Sequence, residues 1–316
     1  MYPSYLIKRR FTLDCRYSSM KSVDISTPSV DKRMVRAAFE RSAESYDQVA
    51  VLQRTVADRL LDHLAPVRLQ PRVVVDLGAG TGMCLRQLEG HYRNAQVIAL
   101  DLAEAMLKQA RRKAPRFFSR QRFVCADAEC LPFGNGSIHL LFSNLTLQWC
   151  NHLEHTYREF ARVMVPGGLL MFSTFGPDTL KELRASFAEV DGHSHVNSFQ
   201  DLHDIGDALM ASGFCDVVVD AERITMTYSD VMSLMSDLKS LGAHNATSHR
   251  QRGLTGKHRM RAMTRAYEKY REQGVLPATY EVIYAHAWKP LPRLVSIPVT
   301  ALHANGGRWD NDALEP

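Results

Sequence analysis

Apolar positions along the chain change period several times, and each change marks an element. From Arg33 to Ala50, Val35, Ala38, Phe39, Ala43 and Tyr46 trace a helical face that loosens in a Ser-Tyr-Asp segment. From Val51 to Leu64, residues Leu52, Val56, Leu60 and Leu64 fall four apart, and Pro66 stops that helix. The period then shortens. Val73-Val74-Val75 reads as a strand buried on both faces. It runs into the turn Asp76-Leu77-Gly78-Ala79-Gly80-Thr81-Gly82 and a helix from Met83 to Glu89.

Further strands are predicted at 97–100, 123–126, 138–143, 169–175 and 216–219, with another over 223–228 and a late one from Thr279 to Trp288. Helices are predicted over 103–114, 153–165 (closed by Pro166-Gly167-Gly168), 203–212, 230–241 and 257–273. Strands alternating with helices argue for an α/β fold, a doubly wound, mostly parallel sheet of seven strands. The rhythm breaks after Asp220, which predicts a helical lid inserted at about 229–275, before the last strand closes the sheet. The expected organisation is a poorly ordered extension over 1–30, one folded unit over 31–289 and a weakly ordered tail over 290–316.

With 45% hydrophobic residues and a net charge of only +5, the chain can bury a core and is not disordered as a whole. No apolar run approaches the ~18 residues needed to span a membrane. The N-terminal 25 residues lack the apolar stretch of a secretory signal but partly fit an Arg- and Ser-rich transit segment; Met20 offers a later start. Six cysteines without a CxxC pair argue for reduced thiols in a cytoplasmic protein, with no metal site.

Candidate chemistry gathers at the carboxyl ends of the predicted strands, where open α/β sheets bind ligands. Gly78-x-Gly80-x-Gly82 is not the dinucleotide fingerprint, which needs glycine at Met83. Asp101, Asp127 and Asn144 follow the next three strands. The set Asp76/Gly78/Gly80, Asp101, Asp127-Ala128 and Asn144 resembles the S-adenosylmethionine site of class I, Rossmann-like methyltransferases. That resemblance implies that Asp76 and Gly78 face the methionine end and that Asp101, with Leu102 beside it, takes the ribose. Asp127 would then take the adenine amino group, Ala128 would flank the ring, and Asn144 would sit near the methionine backbone. The cofactor has no pyrophosphate, so it asks for close backbone approach, which glycine allows. Its sulfonium is cationic and tolerates nearby carboxylates.

Longer stretches are more specific. Phe39–Asp47 with Gln53-Arg54, Ser143–Trp149, Phe175–Arg184, Asp201–Leu209, Asp237-Leu238-Lys239, Gly242–Asn245, Gly253–Gly256 and Pro277–Val282 resemble the BioC-type malonyl-acyl carrier protein O-methyltransferases of biotin synthesis. The likeness covers residues 31–289. It implies methylation of the free carboxylate of a malonyl thioester. A carboxylate is already ionised at pH 7, since carboxyls titrate near ~4, so no general base is required. The expected catalytic residues are Arg184 and, behind it, Arg54, as a fork for two carboxylate oxygens, and Tyr46, closing over the sulfonium or bonding the acceptor. Each has a plainer alternative: Arg184 as a helix-surface charge, Tyr46 as a packed tyrosine. Trp149 and Trp288 read as packing.

Acyl carrier protein is acidic, and Arg250, Arg252, Lys257, Arg259, Arg261, Arg265, Lys269 and Arg271 crowd one region as a candidate docking face. A solvated helix face is the plainer reading. Two other functions stay open. One is an RNA or small-molecule methyltransferase meeting phosphates with the same basic stretch, although no nucleic-acid motif accompanies it. The other is an assembly factor or hydroxylase, since a mitochondrial complex I assembly protein resembles the C-terminal half.

Overall fold

The computed structural model describes residues 29–115, 119–191, 193, 195–242 and 256–292. Helix α1 (Lys32–Ser42) starts at Asp31, whose carboxylate accepts from the N–H groups of Arg33 and Met34 at 3.0 and 3.3 Å. The helix does not run on to Ala50. A turn at 43–45 separates it from the single turn α2 (Tyr46–Val49), and Ala50 leaves the helical region at ψ 45° before α3 (Val51–Leu64) begins. This double break carries Tyr46 and the first turn of α3 to the open end of the sheet.

The strands are β1 (Val73–Leu77), β2 (Gln96–Asp101), β3 (Gln121–Cys125), β4 (Ile138–Asn144), β5 (Met164–Phe175), β6 (Cys215–Tyr228) and β7 (Leu276–Trp288). They form one seven-stranded sheet in the order β3-β2-β1-β4-β5-β7-β6. Strands β1 to β5 pair in parallel, and β7 runs antiparallel between β5 and β6. The last strand therefore inserts into the sheet instead of closing an edge. Strand order reverses between β1 and β4, and a crevice opens there at the carboxyl ends of the strands.

Alternate residues of the sheet feed two cores. Val74, Phe142 and Met171 pack under α3, α4 (Leu85–His91) and α5 (Glu104–Lys113); Val75, Leu141 and Leu170 pack under α6 (Leu153–Val163) and α8 (Leu202–Ala211). Other expectations also differ from the structure. The predicted strands over 216–219 and 223–228 are one strand, β6. Its polar Asp220-Ala221-Glu222 stretch looked like an interruption but sits on an edge strand, where charged side chains face solvent. Helix α6 ends at Val163, and β5 begins at Met164, so the Pro166-Gly167-Gly168 segment lies inside a strand whose register shifts against β4.

Helix α7 (Lys181–Ala188) has no counterpart among the predicted helices, although Leu183 and Phe187 bury one face of it. It is pinned to β7 by Glu182, whose buried carboxylate accepts from Thr279 N at 3.1 Å and from Thr279 Oγ1 at 2.5 Å. Helices α9 (Val231–Ser240) and α10 (Lys257–Tyr267) connect β6 to β7, and α10 packs on α7. Most of the predicted 1–30 extension and 290–316 tail, with Arg250 and Arg252 and the 243–255 motifs, lies outside the described residues.

Replacing Glu182 by Ala would strand a buried N–H and a buried hydroxyl. An unsatisfied buried group costs about 1–3 kcal/mol, so Glu182→Ala should lower unfolding stability by roughly that amount. Urea denaturation checks it.

Candidate active site

The turn after β1 is shaped by positive φ at Gly78 (70°), Gly80 (54°) and Gly82 (83°). Positive φ favours glycine at all three, and at Gly78 and Gly82 a side chain would also collide with its neighbours. A Cβ on Gly78 would lie 2.0 Å from Thr146 Oγ1, inside the loop that follows β4. A Cβ on Gly80 would meet nothing within 4 Å, so it would project into open space above the loop. The turn is fixed from below by Gly78 and Ala79 N–H groups donating to Leu100 O at 2.7 and 3.0 Å.

Asp101, at the end of β2, ties loop to helix. Its Oδ2 accepts from Gly80 N and its Oδ1 from Ala103 N, both at 2.8 Å. Burial lifts its carboxyl to about 6 although those N–H groups pull it down. Asp76 stands buried beside it at the end of β1, its Oδ2 without a hydrogen-bond partner. Burial, with Asp101 adding repulsion, lifts Asp76 to about 7.

One cavity brings together most of the predicted cofactor residues. Gly78, Gly80, Asp101, Leu102, Asp127, Ala128 and Asn144 line it, and so does Tyr46. Asp76 lies beside this lining without being part of it. Asp127 stands two residues past β3; its Oδ1 accepts from Glu129 N at 3.0 Å and from Lys32 Nζ at 2.7 Å. Asn144 is held on both ends, accepting from Ser173 Oγ at 2.8 Å and donating to Gln53 O at 3.1 Å.

The outer wall comes from the N-terminal helices. Lys32, Val35 and Phe39 of α1 line the cavity with Tyr46 of α2. Three contacts clasp these helices onto the sheet. Glu40 accepts from Glu104 N and Ala105 N at 2.8 and 3.1 Å, doing for α5 what its N-cap Ala103 cannot. Asp47 accepts from Thr81 Oγ1 at 2.5 Å and pairs with Lys113. Lys32 bridges Asp127 and Glu129. Sequence reading missed Lys32, Glu40 and Asp47; an alanine at the start of a helix was the one local sign that a distant acceptor was needed.

A second, larger cavity of about 620 Å³ adjoins the first. Trp149 lines both, so it is a wall of the site and not only packing. Leu52 and Gln53 of α3, Phe175, Leu183 and Phe187, and Met232, Met235 and Leu238 of α9 with Met260 of α10 make the second cavity mostly apolar. Arg184 lines neither cavity: its guanidinium donates to the carbonyls of Pro177, Thr179 and Asn197 at 2.8, 3.1 and 3.4 Å. Arg54 also lines neither and donates to Asp47 O at 2.5 Å.

A buried carboxyl without a partner, a second one in contact with the glycine turn and open space over Gly80 suit a cationic ligand bearing hydroxyl groups. Together with the sheet order, they define a class I S-adenosylmethionine-dependent methyltransferase. The methyltransferase domain family matches residues 75–172. The YcgJ protein of Bacillus subtilis shares the fold, with a TM-score of 0.54 at 17% identity over 75% of this chain and 99% of its own. A malonyl-acyl carrier protein O-methyltransferase of Nitrosospira multiformis is 50% identical over 290 residues, 87% of this chain and 94% of its own. One of Halorhodospira halophila is 52% identical over 262 residues, 82% of this chain and 88% of its own. The chain belongs to the malonyl-acyl carrier protein O-methyltransferase family. Among the described residues, no helix is long and apolar enough to cross a membrane.

Both carboxyls titrate higher in the folded chain than the ~3.9 of an unfolded aspartate. The folded state therefore holds more protons between about 4 and about 7, and its stability should fall as pH rises through that window. Binding of S-adenosylhomocysteine should tighten over the upper part of the same range, as these carboxyls ionise and become stronger hydrogen-bond acceptors. Urea denaturation and calorimetry at pH 5.5, 6.5 and 7.5 check both signs, and Asp76→Asn should flatten the stability change.

Proposed function

We propose that this protein transfers the methyl group of S-adenosylmethionine to the free carboxylate of a malonyl group carried on acyl carrier protein. The observation that carries the reading is the meeting of two unlike cavities at Trp149: one acidic and glycine-floored, the other apolar and of about 620 Å³. Family membership names the acceptor class.

S-adenosylmethionine supplies an electrophilic methyl carbon on a positively charged sulfur. In this reading Asp101 holds the ribose, Asp127 the adenine amino group and Ala128 the ring face, while Gly78 and Gly80 allow the backbone close approach. Asp76 and Asn144 serve the methionine end. Tyr46 and Phe39 close the outer wall and exclude water; the two rings meet edge to face at 6.4 Å. The acceptor arrives ionised, so the protein need not move a proton. Its work is alignment and desolvation, and effective molarities from alignment reach roughly 10⁵ M or more.

The apolar cavity suits the thioester arm. Met232, Met235 and Met260 give it adaptable walls, and α9 and α10 form its roof. Met260 turns inward on α10, while Lys257, Arg261 and Arg265 are exposed and have no ion pair among the described residues. Arg259 pairs with Asp191, Lys269 with Glu189 and Arg271 with Glu268, which leaves those three as the free part of the basic face. An acidic carrier protein docked there would stand over the roof of the cavity that receives its arm.

Labelled S-adenosylmethionine with malonyl-acyl carrier protein should give base-labile label on the carrier protein, and acetyl-acyl carrier protein should give none. Label confined to RNA, or absent altogether, contradicts the reading. Reversing charge at Arg261 and Arg265 together should lower kcat/KM about tenfold at low ionic strength. The deficit should shrink at about 0.5 M salt, where the Debye length falls to a few ångströms.

A further inference from the structure

The assignment above leaves open what holds the reacting carboxylate. Both arginines expected from sequence are committed elsewhere, Arg184 to three carbonyls and Arg54 to one, and neither lines a cavity. The basic residues on the wall of the larger cavity, Lys239 and His195, come from α9 and from the segment after α7. Neither belongs to the lining shared with the cofactor cavity.

Two neutral side chains do stand at the seam. Trp149 lines both cavities, and its indole N–H has no acceptor among the described residues. Gln53 lines the larger cavity, and its backbone carbonyl accepts from Asn144, which lines the smaller one. The Gln53 side chain is unspent: Oε1 is buried without a partner, and Nε2 makes no hydrogen bond among the described residues. An unpaired buried acceptor costs roughly 1–3 kcal/mol; rotating the Gln53 amide about its last torsion exchanges Oε1 for Nε2 and turns the unspent N–H group inward, where a ligand able to accept from it is the complement. Gln53 also lies in the first turn of α3, whose N-cap Ala50 offers no side-chain acceptor; that end of a helix favours negative charge.

On these grounds, and resting on the proposed methyl transfer, we propose that the Gln53 amide and the Trp149 indole N–H hold the acceptor carboxylate at the seam of the two cavities. The chemistry favours such donors. A guanidinium bound to both oxygens would orient the carboxylate but draw off the electron density that must attack carbon. Two uncharged donors orient it through one oxygen or both while leaving the charge on the nucleophile. The C–S bond of the sulfonium breaks as the O–C bond forms, the electron pair stays on sulfur, and the products are the methyl ester and the neutral thioether. No proton moves, so Gln53 and Trp149 need only donate.

The test uses the full chain with Gln53→Met and Trp149→Phe, each of which removes a donor and keeps most of the volume, and Gln53→Glu. Methyl transfer to malonyl-acyl carrier protein should lose about 10- to 100-fold in kcat/KM for each of the first two, as expected for a lost charge-assisted hydrogen bond. Calorimetry with malonyl-pantetheine on the S-adenosylhomocysteine-loaded protein should show weaker binding, while S-adenosylhomocysteine itself binds Gln53→Met within about twofold of the parent protein. Gln53→Glu should be nearly inactive at pH 7.5 and, relative to the parent protein at the same pH, recover in part at pH 5.5, because a carboxyl facing the malonyl carboxylate is pushed up towards its protonated, donating form; a purely structural role for Gln53 would give no such recovery. Wild-type kcat/KM in both Gln53→Met and Trp149→Phe overturns the proposal. Loss of malonyl transfer in the parent protein would overturn the proposed function instead, and the two failures are told apart by that control.

Discussion

Two neighbouring carboxyl groups where β1 and β2 end, Asp76 buried and Asp101 half-buried, are the constraint around which the site is built. Asp101 accepts from Gly80 on the loop and from Ala103 at the start of α5, so one side chain sets the loop, the helix and the spacing between them. Asp76 beside it has no partner for one oxygen. Burial raises both carboxyls above their ordinary range, with Asp101 adding repulsion at Asp76 and Glu40 adding it at Asp101. In the proposed reading, a ligand that brings positive charge and hydroxyl donors complements both carboxyls, which would link cofactor recognition to the residue that sets the loop.

The second constraint is the way the N-terminal helices are fastened. Glu40 on the start of α5, Asp47 on Thr81 and Lys113, and Lys32 on Asp127 and Glu129 make three polar clasps between α1–α2 and the sheet ends. Exposed ion pairs stabilise little individually. The Lys32 pairs are partly buried, the Asp47–Lys113 pair is exposed, and all of them act beside the packing of Phe39 and Tyr46, so they set position more than they add stability. The outcome is a cavity over the glycine turn, walled by the N-terminal helices, that shares Trp149 with the apolar one. Methyl transfer to an anion already ionised in solution needs this exclusion of water and correct approach, and little else.

Much of the architecture was legible in sequence because it follows from hydrophobic period. The short β-branched runs and the intervening helical faces gave the parallel sheet, and the carboxyl-end acids followed from the strand ends. Errors arose where a local signal was overridden by position in the sheet. Asp220 and Glu222 broke the pattern of β6 but are tolerated on an edge, and Gly167-Gly168 ended a helix on paper while lying inside a strand. In the site, Gly78, Gly80, Asp101 and Asn144 were readable because they fall in the turn after β1 or at strand ends, where open α/β sheets gather ligand-binding residues and where the set resembles that of class I methyltransferases. Gln53, Trp149 and Glu40 were not, since their roles come from cavities and helix ends that only the folded chain brings together. Arg184 shows the converse: a residue type suited to carboxylates is spent on three backbone carbonyls created by the local turn.

The most direct test of the account is a crystal structure of the protein with S-adenosylhomocysteine and malonyl-pantetheine bound together. The account predicts the ribose on Asp101, the thioester arm under α9 and α10, and the free carboxylate beside Trp149 facing the sulfur. A thioester arm bound elsewhere, or Trp149 standing between the two ligands, would contradict it.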